Sequence, residues 1–69
     1  MTDGALLDYH IKRNGYSFTE FAQAIGISVE ALRLKRNGTT EFKTTEIAAA
    51  VDLLKLKPKE AMQIFFSIK

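Results

Sequence analysis

The chain has 69 residues, a formal net charge of +2 and 46% hydrophobic residues, enough for one small core and too short for a second domain. It contains no cysteine, which excludes a disulfide framework or a thiolate zinc site and leaves helix packing or pairing with a partner to stabilise the fold. No apolar run approaches the ~20 residues of a membrane span, and the start MTDGALLDYH lacks the basic beginning and apolar centre of a signal peptide, so the expectation is a cytoplasmic protein with no membrane partner.

Five helical segments and no strand alternation predict an all-α, compact five-helix domain spanning 1–69, with a helix-turn-helix at about 18–37. Helix one runs from about Ala5 to Asn14, with Leu7 and Ile11 inward, Leu6 and Tyr9 on a neighbouring stripe, and Gly15 as its stop. Ser17 and Glu20 form a Ser-x-x-Glu capping box that starts helix two near Phe18. Phe21, Ala22 and Ile25 then make one stripe, with Ala22 small where another helix has to cross closely. Gly26 stops the helix, Ile27 plugs the turn inward and Ser28 is the N-cap candidate of helix three. Leu32 faces back toward Ala22 and Ile25, and Asn37-Gly38 ends the helix. Gly38 to Lys43 is a polar loop pinned by Phe42. Helix four starts near Thr44, with Ile47, Ala50, Val51 and Leu54 at helical spacing. LKLKPKE is the next break, and Pro58 with Glu60 suits the first turn of helix five, which turns Ala61, Ile64 and Phe65 inward.

Two short helices joined by about three residues, with Ala22, Gly26, Ile27, Ser28, Leu32 and Asn37-Gly38 in these places, resemble the lambda-repressor and Cro type of helix-turn-helix domain. The resemblance covers most of the chain. LLDYHIKRNGYS is similar to that family's first helix and its glycine stop, and EFKTTEIAAAVDLLKLKPKEAMQIFF to its fourth and fifth helices. It implies a phage or bacterial transcriptional regulator that places helix three in the major groove of double-stranded operator DNA, as a homodimer on a two-fold site.

With Leu32 inward, Glu30 and Leu34 fall almost opposite it, Arg33 and Ala31 lie on the flanks, and Val29 sits at the helix start. The base-reading candidates are therefore Val29, Glu30, Arg33 and Leu34. Arg33 suits guanine O6 and N7, Glu30 a cytosine amino group, and Val29 or Leu34 a thymine methyl. Leu34 has three possible covers: thymine methyls, a protein partner, or the core itself if the helix is slightly rotated. The reading face departs from the resembled family, which commonly carries glutamine, serine or asparagine there and glutamine where Phe18 stands.

The resemblance also implies phosphate contacts. Arg36, Asn37, Thr39, Thr40 and Lys43 follow the recognition helix, where the family grips the sugar-phosphate chain, and Ser17 and Thr19 stand at its second clamp at the start of helix two. Ser28, at the start of helix three, joins these phosphate candidates. Lys35 occupies a place that often holds an inward apolar residue, so its stem is expected to pack while its ammonium reaches solvent. The sequence pI of about 9.1 permits a polyanionic partner without demanding one.

Met62, Phe66 and Ile68 remain on the outer side of the tail if Ile64 and Phe65 face inward, and form the candidate dimer interface; packing on helix one is the alternative for them. His10 is the sole histidine and suits a packing or surface role, and no phosphate loop, metal-ligand spacing or nucleophile-base pattern occurs, so neither catalysis nor a cofactor or metal is expected. The alternative function is a protein-interaction module on the same fold, an antirepressor or modulator of another regulator with weak or no DNA binding.

Overall fold

In the computed structural model, which describes residues 1–67, the chain forms α1 (Gly4–Arg13), α2 (Phe18–Ile25), α3 (Val29–Arg36), α4 (Thr44–Leu54) and α5 (Pro58–Phe65). No strand occurs among the described residues, and the five-helix all-α architecture expected from the periodicity is present. Ile68, one of the candidate dimer residues, lies outside the described residues.

α1 begins one residue earlier than the apolar pattern indicated. The Asp3 carboxylate accepts the Leu6 N–H at 3.1 Å and so opens the helix at Gly4. Asn14 is its cap rather than its last turn, and the Asn14 amide donates to the carbonyls of His10 (2.8 Å) and Leu54 (3.3 Å), fastening the end of α1 to the end of α4. The start of α1 is fastened as well, by the Asp3 N–H to the Ile64 carbonyl at 2.7 Å.

Four helix ends share one device: a left-handed residue followed by an N–H that reaches the carbonyl five positions back. It occurs at Gly15 with Tyr16 to Ile11 (3.1 Å), at Gly26 with Ile27 to Ala22 (3.0 Å), at Gly38 with Thr39 to Leu34 (2.9 Å), and at Lys55 with Leu56 to Val51 (3.0 Å). Except at the exposed Thr39, the bonded residue is apolar and turns onto the core. This makes Leu56 a core residue with only 8% exposure, although it stands in the stretch read as a mere break.

Leu7, Ile11, Phe21, Ala22, Leu32, Ala50, Leu54, Ile64 and Phe65 complete the core. Ala22 and Leu32 are both fully buried, as a close crossing of α2 and α3 requires. His10 is buried too, its ring edge-on to Tyr9 at 5.1 Å, which selects packing over a surface role. Phe42 does pin the loop, packing edge-to-face on Phe65 at 5.1 Å.

The expectation for Lys35 is corrected. Its side chain retains 11% exposure, and its ammonium does not reach solvent but meets the Glu46 carboxylate at 2.9 Å and the Glu41 carbonyl at 3.1 Å, beside the Phe42 ring. The start of α4 supplies an acceptor at the spot where the lysine would otherwise have to escape the core. Glu46 in turn accepts the Lys43 N–H at 2.8 Å. Burial alone pushes the Glu46 carboxyl up, but the Lys43 amide and the Lys35 ammonium together hold it below the ordinary glutamate value.

Candidate nucleic-acid interface

Three residues, Gly26, Ile27 and Ser28, join α2 to α3. Gly26 takes φ +81°, which only glycine adopts without strain, and the Ser28 hydroxyl accepts the Ala31 N–H at 3.0 Å. The turn and Leu32 together fix which side of α3 points outward.

That side carries Glu30, Arg33 and Leu34, all exposed, with Leu34 at the lower margin at 37%. Leu34 is thus turned out, with part of its surface covered. Val29 differs from the other reading candidates, because it is half-buried and packs against the core. Glu30 and Arg33 occupy each other: Arg33 Nη1 lies 2.9 Å from Glu30 Oε1, while the guanidinium stands 6.0 Å above the Phe18 ring. Phe18, which stands where the resembled family has glutamine, therefore supports Arg33 from the start of α2.

Beside this face lies an open cleft of about 710 Å³, lined by Asp8, Ile11, Lys12, Tyr16, Ser17, Phe18, Arg33, Arg36 and Asn37. It brings Ser17, from one expected phosphate clamp, together with Arg36 and Asn37 from the other. Lys12, Arg33 and Arg36 face Asp8 here, and with Glu30 paired to Arg33 the local surplus is +1. The first-turn amides of Phe18 and Thr19 have no intrahelical acceptor, and the Thr19 side chain is exposed. Ser17 is partly committed: its hydroxyl accepts the Glu20 N–H at 3.0 Å and its own N–H goes to the Glu20 carboxylate at 2.8 Å. The Ser17 N–H first, and the Ser17 hydroxyl second, hold the Glu20 carboxyl below its ordinary range.

Thr39, Thr40 and Lys43 do not line this cleft. The N–H groups of Thr39 and Thr40 both turn back to the Leu34 carbonyl, at 2.9 and 3.3 Å, leaving only their exposed side chains for a ligand. Thr40 borders a second concavity of about 330 Å³ with Met1, Phe42, Phe65 and Phe66. The Lys43 side chain is exposed while its amide caps onto Glu46. Arg36 and Asn37 thus line the cleft, Thr40 borders the second concavity, and Thr39 and Lys43 border neither. Met62 and Phe66 are 48% and 55% exposed and lie one turn apart, on α5 and at its C-cap, as a shared outer stripe requires.

Residues 6–68 match the model of a family described as a protein of unknown function, DUF739. The chain belongs to the DUF739 family. No curated protein matches it. The matched span of this DUF739 chain contains α2, the turn and α3 whole, together with every residue that lines the larger cleft.

Lys12, Tyr16 and Asp8 belong to the cleft of the DUF739 chain but were not legible as site residues. Asp8 and Lys12 lie on α1, away in sequence from α2 and α3, and only the packing of α1 beside α2 brings them there, whereas Tyr16 directly precedes Ser17. Among the described residues no helix is long and apolar enough to cross a membrane, and no group of three or more histidine or acidic residues is placed to hold a metal ion.

Proposed function

We propose that this chain is a sequence-specific DNA-binding transcriptional regulator of the lambda-repressor and Cro type, acting in the cytoplasm of a bacterium or on behalf of a phage. It sets α3 in the major groove of operator DNA and performs no catalysis. Arg33, Glu30 and Leu34 read base edges, with Val29 contributing less because the core already holds it. Lys12, Ser17, Arg36 and Asn37 grip one stretch of backbone, and Thr39, Thr40 and Lys43 another. Two copies pair through Met62 and Phe66 of α5, so that two copies of α3 meet successive major grooves.

The observation that carries this reading is the continuity of the basic cleft with the outward face of α3, since base-reading and phosphate-gripping groups must share one surface. Selection from random duplex DNA tests it. An enriched motif is expected, bound with an affinity that falls steeply as salt rises.

A second reading has its own support. Leu34, Met62 and Phe66 are exposed large apolar side chains, which suit a protein-interaction module that modulates another regulator. Under that reading no motif emerges, and the binding of a partner protein responds little to salt.

A further inference from the structure

Arg36 ends α3 at the cleft, and its guanidinium is already occupied. Nη2 lies 2.7 Å from Asp8 Oδ2, Nε reaches Oδ2 and Oδ1 at 3.2 and 3.3 Å, and Nη1 donates to the Asn37 side-chain carbonyl at 2.9 Å. Gly4 permits the approach. A Cβ at that position would stand 2.9 Å from both Arg36 Cζ and the Arg36 carbonyl oxygen, so the absence of a side chain there lets α1 lie over the end of α3.

A carboxylate and a phosphate offer an arginine fork the same pair of oxygens, so one occupies the place of the other. The setting decides what the pair is for. The Arg36 and Asp8 side chains keep 34% and 44% exposure, in contrast to 11% each for Lys35 and Glu46. Pairs this wet contribute little to stability and exchange readily with other partners. Asp8 is also the one carboxylate among the three cations of the cleft.

We propose that Asp8 is an internal competitor for Arg36, filling the guanidinium fork that a backbone phosphate of bound DNA would take and so holding the affinity of the chain down. This rests on the DNA-binding reading of the same surface. Asp8 acts through Arg36 and touches no ligand itself, and its effect is on the number of phosphates gripped.

The test is a salt titration with a labelled random-sequence duplex on the full chain and its variants. Asp8→Asn and Asp8→Ala are expected to bind about fivefold tighter at low salt, with a log affinity against log salt slope steeper by ~0.9, the signature of one added phosphate contact. Between 50 and 200 mM salt that slope adds a loss of roughly 3.5-fold beyond the wild type. Asp8→Glu keeps the carboxylate and the parent slope. Asp52→Asn, which removes an equal charge from the exposed side of α4, leaves the slope unchanged. In the Arg36→Ala background Asp8→Asn gains nothing. Parent-like slopes in Asp8→Asn and Asp8→Ala, with the wild type binding duplex, overturn the competitor role and leave the DNA reading standing. Loss of the fold in both variants overturns it too, since the pair would then be a structural clamp. Absence of duplex binding by wild type and Asp8→Asn alike at the lowest salt sinks the DNA reading itself.

Discussion

Replacing Lys35 with methionine isolates the buried ion pair that joins α3 to the start of α4. The substitution keeps the length of the side chain and removes the ammonium. Glu46 is then left at 11% exposure with Lys43, through its N–H and its ammonium charge, as its remaining stabilising partner. Removing one member of a buried pair costs about 3 kcal/mol, because the surviving charge stays desolvated. A chain of this length has a total stability of ~3 to 10 kcal/mol, so the loss takes a third of it or more. The melting temperature should fall by roughly 12 to 24 °C. The double variant Lys35→Met with Glu46→Met should return to within ~1 kcal/mol of wild type, the residue of the difference being the lost cap on Lys43.

The pH dependence gives this prediction a sign. In the wild type Glu46 is held below its ordinary value, so its contribution is full above ~4.3 and is lost as pH falls through the lower folded-state value. In the Lys35→Met chain burial acts with less opposition and raises Glu46, so its penalty is present at neutral pH and is relieved on acidification. The two stabilities should converge between pH 7 and pH 4, measured by urea denaturation followed by far-ultraviolet circular dichroism. A Lys35→Met chain as stable as wild type at pH 7 would refute the reasoning, since it would mean that water screens the pair.

Gly26→Ala meets no atom within 4 Å, so any loss comes from the backbone at φ +81° alone and should be ~1 to 2 kcal/mol in thermal unfolding. Lys55 holds φ +52° at the end of α4, and Lys55→Gly should give the opposite result, a gain of up to ~1 kcal/mol. Leu34→Ser should cost under ~1 kcal/mol of stability while changing what α3 recognises; a cost above ~2 kcal/mol would mark Leu34 as a core residue. Met62→Asp combined with Phe66→Asp should shift sedimentation toward the monomer and leave the circular dichroism spectrum unchanged, whereas an unaltered oligomeric state would remove α5 as the interface.

The sequence made the helices and their stops legible because those depend on local chemistry. Ser17, Gly26, Ser28 and Pro58 each act within a few residues of where they stand, and all four occupy the cap, turn or first-turn position expected of them. The inward residues Ala22 and Leu32 were equally clear from spacing. What stayed hidden depends on groups far apart in the chain. Lys35 finds Glu46 eleven residues on, across a loop whose path no periodicity records, and Arg36 finds Asp8 twenty-eight residues back. The cleft was invisible for the same reason, since half of its lining comes from α1 and the turn after it. Leu56 was missed through a different cause: lysine gives no warning that it will adopt a left-handed conformation, and only that turn brings Leu56 inward.

The three ion pairs of α3 differ in exposure, and that difference orders what a ligand has to displace. Glu30 and Arg33 are the wettest, at 70% and 52%, and separating such a pair costs ~0.2 to 1 kcal/mol. A bidentate guanine contact is worth ~1 to 3 kcal/mol of discrimination, so under the proposed function the base wins Arg33 from Glu30, and the Phe18 ring keeps the guanidinium nearby while it changes partner. Arg36 is held more firmly, by three contacts to Asp8, so a phosphate competes with it on nearly equal terms. Lys35 is beyond the reach of either, because drawing it out would strand Glu46 in the core. The helix therefore offers its first cation readily, its second conditionally and its third not at all, and the salt slope of a DNA complex should count Arg36 once Asp8 is removed and never Lys35.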